Sequence, residues 1–385
     1  MAIASGTRAR ICYVAESTHG TTPGTPSMKV LRTTSRKINV TKNMLETAEV
    51  RSDREITDVR HGFNRVEGEL GFELSLAAYD DLIEAALGGT WATGTNVATI
   101  AAVASGNKFT RASGSWLTDG YRPGDVVLSA GFTTGANNGQ CRVTAVTATD
   151  LTVTGLTLVD EAADASQSLN LVGKRVGVGT TLTTFTFERQ FLDLTKYEVF
   201  TGVAVNAMSL TISPEEIVGG SFTLVGMAHG GVSGSPLDAS PDAAPTYAPM
   251  AAFDGSIHEG GTAIATMTSL ELSIEGGRDL TSVIGSATSP DVFDGKCKIT
   301  GTATALFQDE TLLNKFLNET ESTIWVKLAD PDDSSKFIAV SLYRVKYTGG
   351  EIDPPQEGPI LLSLPFEALY NSTYGARIGV QRSNS

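Results

Sequence analysis

Gly71-Phe72-Glu73-Leu74-Ser75-Leu76 runs into Tyr79-Asp80-Asp81-Leu82-Ile83-Glu84-Ala85-Ala86-Leu87. Near the other end, Gly301-Thr302-Ala303-Thr304-Ala305-Leu306 runs into Asp309-Glu310-Thr311-Leu312-Leu313-Asn314-Lys315-Phe316-Leu317. Without a gap, Gly71 matches Gly301, Leu76 matches Leu306, Leu82 matches Leu312 and Leu87 matches Leu317, each pair 230 positions apart. A recurring strand-helix unit predicts two copies of one building block in a single polypeptide. It favours a protein that assembles over one that catalyses.

Outward from the first copy, residues 36–42 and 63–76 read as strands. In the second, Val66, Leu70, Phe72, Leu74 and Leu76 fall on one face, while Arg65, Glu67, Glu69, Glu73 and Ser75 fall on the other. Period two over this length means a half-buried strand with one wet, acidic face. Residues 44–62 between these strands are too many and too charged for a tight turn: Glu46, Glu49, Asp53, Glu55 and Asp58 stand against Arg51, Arg54 and Arg60. A structureless loop of that length is commonly functional or ordered by a partner. Asp80 and Asp81 suit the positive end of a helix, with Leu82, Ile83, Ala86 and Leu87 as its apolar stripe and Gly88-Gly89 as its stop. In the second copy Asp309 and Glu310 open the helix, and Leu312, Leu313, Phe316 and Leu317 form the stripe.

Further strands extend the match. Leu182 to Gln190 pairs with Ser322 to Leu328, Phe200 to Met208 with Phe337 to Val345, and Ser221 to Met227 with Ile360 to Phe366. Upstream, Ile38 and Val40 match Leu272 and Ile274. The expected fold is therefore mainly β: two tandem β-sandwich or barrel units, each with one short helix. Residues 1–91 and 177–228 form the first unit and 263–385 the second. Residues 92–176 are surplus in the first copy and read as an inserted small all-β domain, punctuated by turns such as Arg122-Pro123-Gly124-Asp125 and Ala136-Asn137-Asn138-Gly139. A Gly-, Pro-, Ala- and Ser-rich connector over 229–262 joins the halves.

Composition narrows the function. The 385 residues suffice for two or three cores, and 19% charged with 41% hydrophobic residues describes a folded chain. A net charge of −14 argues against tight wrapping of nucleic acid, which Lys and Arg drive by displacing counterions. Cys12, Cys141 and Cys297 are odd in number and far apart, so neither a disulfide framework nor a zinc cluster is expected, and Cys12 and Cys297 read as small core residues. The first ten residues carry no secretory leader pattern, and no apolar run is long enough for a membrane-spanning helix.

No catalytic, cofactor or metal site is expected. His19, His61, His229 and His258 read as solvated loop residues without a close carboxylate pairing or a ligand spacing. Val176-Gly177-Val178-Gly179 lacks the third glycine and following helix of a dinucleotide loop. Neither a phosphate-binding GxxxxGK[ST] nor a GxSxG elbow occurs. Asp330, Asp332 and Asp333 lack the spacing of a calcium loop and read as a turn.

The opening Tyr13-Val14-Ala15-Glu16-Ser17-Thr18-His19-Gly20-Thr21-Thr22-Pro23-Gly24 resembles the start of the tail tube proteins (major tail proteins) of long-tailed, siphovirus-like bacteriophages. So do Val50-Arg51-Ser52-Asp53-Arg54 ahead of Val66-Glu67-Gly68-Glu69-Leu70, and Tyr79 to Trp91. The likeness covers about the first ninety residues and extends more loosely to the end; the 92–176 module departs from it.

The resemblance implies a non-enzymatic virion protein, assembled in the bacterial host cytoplasm, that stacks as rings into a hollow tail tube. DNA passes through the tube, and its partners are further copies of itself, the tape measure protein and the tail terminator or tip proteins; no membrane insertion is implied. If six units close a ring, two units per chain need three chains, giving pseudo-sixfold symmetry. Strands near 36–42, 64–76, 203–212, 217–227, 268–275, 293–305, 338–347 and 358–366 would build the barrel or its backing sheet. Glu67, Glu69, Glu73, Glu271 and Glu275 are the lumen candidates, against the plainer reading of a solvated outer face. Glu49, Arg51, Asp53, Arg54, Glu55, Asp58 and Arg60, with a counterpart loop at 277–292, are the candidates for joining rings. The alternatives are a capsid or tail decoration protein, a hexameric tube protein with one barrel unit per chain, and, last, a carbohydrate-binding protein using Trp91, Trp116 and Trp325.

Overall fold

The computed structural model describes residues 3–384. Among the described residues the chain is mainly β, with two short α-helices and a closed six-stranded barrel. In the first half the principal strands are β1 (Ala9–Ala15), β2 (Ser35–Glu46), β3 (Val59–Glu73), β4 (Thr184–Phe191), β5 (Lys196–Ile212) and β6 (Gly219–Ser233), with α1 (Asp80–Leu87) after β3. The second half has β7 (Gly255–Glu259), β8 (Met267–Glu275), β9 (Lys298–Leu306), α2 (Thr311–Leu317), β10 (Ser322–Ala329), β11 (Phe337–Tyr347), β12 (Glu351–Asp353), β13 (Leu361–Ala368) and β14 (Ile378–Arg382).

One antiparallel sheet spans both halves in the order β2-β3-β6-β5-β8-β9-β13-β12. The seam is the pairing of β5 with β8, from Ala207 opposite Glu275 to Ile212 opposite Leu270. A second layer continues from the first-half sheet through β1 and β4, and in the second half runs β7-β10-β11-β14. A single apolar core fills the space behind the sheet and includes Ile38, Val66, Leu70, Phe72, Phe222, Leu272, Ile274, Ala303, Leu364 and Phe366. Leu74 and Leu76 are buried in it as well, although they lie in the turn after β3. Burial of alternate residues along β3, β8 and β13 fixes the register of the sheet, whereas β4, β11 and β14 are buried on both faces.

The duplication is present in the pairing pattern, but the gapless match of the β3 and β9 strands is out of step. Even-numbered Val66, Leu70 and Phe72 are buried in β3, whereas odd-numbered Ile299, Ala303 and Ala305 are buried in β9. A spacing of 230 would turn one strand inside out. The geometry instead matches Gly68 with Gly301: a Cβ on either would strike a carbonyl oxygen of the preceding strand, Lys37 on β2 or Glu271 on β8. Ile38 sits across from Gly68 and Leu272 across from Gly301, so the upstream match stands. The helices keep their own match, since Leu82, Ile83, Leu312, Leu313 and Phe316 all pack on the core. The strand-to-helix connection therefore differs in length between the halves.

Leu317 is 62% exposed and leaves the predicted stripe. Asp309 and Glu310 precede α2 rather than fill its first turn; Asp309 accepts the amide of Thr311 at 2.8 Å. Asp80 and Asp81 do occupy the first turn of α1, and they also reach Arg382 and Lys29 at 2.7 and 2.6 Å. Gly88 ends α1 in the left-handed conformation that glycine tolerates.

Six strands between Val97 and Leu171 close into the small barrel around Ile100, Phe109, Trp116, Val127, Val143 and Leu151. Its entry and exit pair with each other, Thr93 opposite Lys174 and Ala92 opposite Arg175, and the exit strand continues onto β14. Val126 and Val172 pack on Phe337 and Ala339, and Gln381 bonds the amide and carbonyl of Val126. The connecting stretch between halves is shorter than 229–262, because β6 runs on to Ser233 and β7 already pairs with β10 from Gly255.

Candidate assembly surface

The face of the eight-strand sheet turned away from the core is mostly polar, because β3, β5, β6, β8, β9 and β13 contribute their non-core residues to it. One row across the strands reads Glu73, Gly219, Thr211, Glu271, Thr302 and Pro365. The next reads Gly71, Ser221, Ser209, Ser273, Thr300 and Glu367, and the next Lys37, Glu69, Thr223, Ala207, Glu275 and Lys298. Glu67, Glu69, Glu271 and Glu275 are exposed, and Glu73 is half-buried. All five predicted carboxylates thus lie on one continuous face, drawn from both halves. Sequence reading missed Glu367, whose strand has Pro365 in its middle, and the interleaved Lys37 and Lys298.

This face is lined by short hydroxyl side chains between the acids. Ser209 and Ser221 hydroxyls lie 3.0 Å apart across β5 and β6. An open depression of about 480 Å³ over the β8-β9-β13 portion is lined by Thr211, Glu271, Ser273, Thr300, Thr302 and Glu367. Small polar residues leave a smooth wall with no deep apolar pocket for a ligand to enter.

The charged 44–62 segment is more ordered than its composition predicts. Met44 to Glu46 continue β2, Val59 to Gly62 begin β3, and the two pair as a long hairpin with Leu45 opposite Arg60 and Glu46 opposite Val59. Alternating charge does not forbid a strand when both faces meet solvent. The turn region holds Glu49, Arg51, Asp53, Arg54, Glu55 and Asp58, with Arg51 paired to Asp53 at 2.5 Å and Arg60 to Asp58 at 2.9 Å. Salt bridges this exposed contribute little stability.

The counterpart after β8 behaves differently. It forms a two-stranded ribbon, Asp279 opposite Phe293 and Leu280 opposite Val292, folded onto the first half. Leu280 and Val292 join Ala204, Val225 and Met227 in a separate apolar cluster. Arg278 bonds the carbonyl of Val205, its amide donates to Asn206 Oδ1 at 2.7 Å, and Arg65 meets Asp279 at 2.5 Å. Asp279 sits below the usual carboxylate range because the Leu280 amide and the Arg65 guanidinium favour its charged form.

The histidines depart from expectation. His19 pairs with Asp291 at 2.7 Å across the two halves, and His229 lies within β6, 3.0 Å from Glu198. His61 is on β3, and His258 on β7 packs near Trp325. These partners come from strands distant in sequence, which spacing could not reveal. Among the described residues no cluster of His, Cys, Asp and Glu has metal-binding geometry, and no helix is long and apolar enough to cross a membrane. Asp330 and Asp333 accept backbone amides of their own turn. Cys12 and Cys141 are buried and Cys297 half-buried; burial raises all three thiols. Trp116 and Trp325 are buried and present no sugar-binding platform.

No curated protein matches the chain. The family model described as phage tail tube protein matches residues 6–368, spanning both halves and the inserted barrel. With a duplicated sheet, a polar face running across both copies and a family match over nearly its full length, this chain belongs to the phage tail tube protein family, a structural component of the virion tail.

Proposed function

We propose that three chains close into a ring, that the carboxylate-bearing face is the inner wall, and that stacked rings make the bore through which DNA passes. The β5–β8 seam carries this reading, because it already joins two repeat units edge to edge. The same join is available between chains. Among the described residues β2 pairs only with β3, and β12 only with β13, so both ends of the sheet are open edges. Unpaired edges are templates for another strand, and here β2 offers twelve residues and β12 three.

The seam also supplies a register. The β5–β6 ladder gains a residue between Val205 and Ala207, and the ladder of β11 and β12 against β13 gains one between Tyr347 and Glu351. That makes β12 the counterpart of the end of β5, as β2 is the counterpart of β8. Leu210 opposite Leu272 then becomes Ile352 opposite Ile38 of the next chain, and Thr211 opposite Glu271 becomes Asp353 opposite Lys37. Apolar meets apolar on the core side, and opposite charges meet on the wet side.

An inner wall bearing Glu67, Glu69, Glu73, Glu271 and Glu275 would repel phosphate and keep DNA from sticking as it moves. The inserted barrel docks on β14 and on the start of β11, which belong to the second layer behind the eight-strand sheet, and is assigned to the exterior. The tape measure protein and the terminator or tip proteins are the further partners this role calls for. Electron microscopy of the purified protein tests the reading: tubes built of three-chain rings are expected. Six chains around the axis would sink the threefold arrangement, and globules without an axial hole would sink the tube.

A further inference from the structure

The ribbon of the second half covers a patch on the first, yet the matching hairpin of the first half covers nothing in its own chain. Leu280 opposite Val292 corresponds to Glu46 opposite Val59. Leu280 and Val292 are 7% and 3% exposed, whereas Val59 is 45% and its neighbour Leu45 59% exposed. Beyond them Val50 and Ile56 are also exposed. Apolar side chains held out on an exposed hairpin mark a surface that meets a partner.

The patch under the ribbon names that partner. Ala204, Val225 and Met227 receive Leu280 and Val292. Their counterparts in the second half are Lys346, Glu367 and Leu369, and Lys298 stands where Arg65 receives Asp279. Tyr370, beside Leu369, is 56% exposed. Charge favours the same seat: the 47–58 turn region holds four carboxylates against two arginines, and the receiving surface holds Lys296, Lys298 and Lys346 against Glu367, with Lys346 also 3.5 Å from Glu319. Asp58 occupies the place of Asp291.

We infer that the 45–60 hairpin clasps the second half of the next chain within the same ring, seated on Lys298, Lys346, Leu369 and Tyr370. This rests on the ring reading above. It gives the hairpin a task within the ring, where the charged composition alone suggested a joint between rings. Each ring would then carry the same clasp at every junction, within a chain or between chains.

Paired cysteines test it in full-length protein with Cys297→Ser. Val59→Cys with Leu369→Cys, the counterparts of Val292 and Met227, is expected to link chains on oxidation into species no larger than one ring. A second pair, Asn39→Cys with Glu351→Cys, reports the ring edge alone. A ladder from the hairpin pair that runs past the chain number of a ring would place the hairpin between rings and overturn the clasp. Linkage by the edge pair without linkage by the hairpin pair removes the clasp and leaves the ring. Linkage by neither, with no rings in micrographs, removes both.

Discussion

Gly68 and Gly301 hold the same position in the two halves, each pressed against the carbonyl oxygen of a neighbouring strand, that of Lys37 or of Glu271. A backbone oxygen cannot swing aside as a side chain can. Gly68→Ala and Gly301→Ala are therefore each expected to cost about 1–3 kcal/mol through overpacking. At Gly71 the nearest obstacles are the hydroxyls of Thr34 and Ser35, which can rotate. Gly71→Ala should cost on the order of 1 kcal/mol or less. Urea unfolding midpoints of the three variants decide it; an equal loss at all three would mean that the backbone oxygens are no worse an obstacle than the rotatable hydroxyls.

The docked ribbon gives a second prediction. Leu280→Ala removes most of an apolar side chain that is 7% exposed among Ala204, Val225 and Met227, and should cost about 2–4 kcal/mol locally. Asp279→Asn keeps an acceptor for the Leu280 amide, loses the charge behind that bond and a largely exposed pair with Arg65, and should cost under about 1 kcal/mol. The amide of Asn64, which donates to the carbonyl of Ala287 at 2.7 Å, is the reporter. Its hydrogen exchange should accelerate strongly in Leu280→Ala and little in Asp279→Asn. The reverse order would assign the docking to charge.

The sheet was legible because its period-two pattern is written locally: Val66, Leu70 and Phe72 against Glu67, Glu69 and Glu73 require no knowledge of neighbours. The offset between halves was not, because Gly71 and Gly301 look alike in sequence while only backbone approach tells Gly68 from Gly71. The same limit hid His19–Asp291 and the β5–β8 seam, both set by contacts between residues far apart in the chain. Met44 to Gly62 misled for a different reason. Charged residues are depleted from strands on average, but a two-stranded hairpin with both faces in water pays no desolvation for them. The five carboxylates were findable because an exposed strand face needs only alternation. Glu367 was not, since Pro365 in the same strand argues against a central position.

If the carboxylate face lines the bore, reversing its charge should bind what it now repels. Glu67→Lys, Glu271→Lys and Glu275→Lys together change positions that are exposed and outside the core, so folding and ring closure should survive. Tubes carrying all three should retain short duplex DNA at low salt and release it as salt rises, since each neutralised phosphate returns counterions on dissociation. Wild-type tubes should retain none under either condition. Phage built with the variant should eject more slowly. Equal DNA retention by both tubes would show that these residues do not meet DNA in the bore, and DNA coating the outside of the variant tubes in micrographs would put them on the outer surface.

The inserted barrel supplies a pH prediction that does not depend on assembly. Glu161 accepts the amides of Thr133 and Thr134 at 2.7 and 3.0 Å and the side chain of Asn137 at 3.0 Å. Desolvation alone would raise its pKa, but these donors favour the carboxylate and bring it down to about 2 from an ordinary 4.5. A carboxyl whose folded pKa is depressed stabilises the fold fully above its unfolded value, and that stability is lost as pH falls through the folded one. Glu161→Gln should therefore lower the melting temperature of the barrel at pH 7 and at pH 5. The difference from wild type should shrink between pH 4.5 and about 2, where both proteins carry a neutral side chain at this position. Near-ultraviolet circular dichroism of a variant whose other two tryptophans, Trp91 and Trp325, are replaced by Phe follows the transition through Trp116, buried in the barrel. A gap that stays constant down to pH 2 would show that shape, and not charge, makes Glu161 matter.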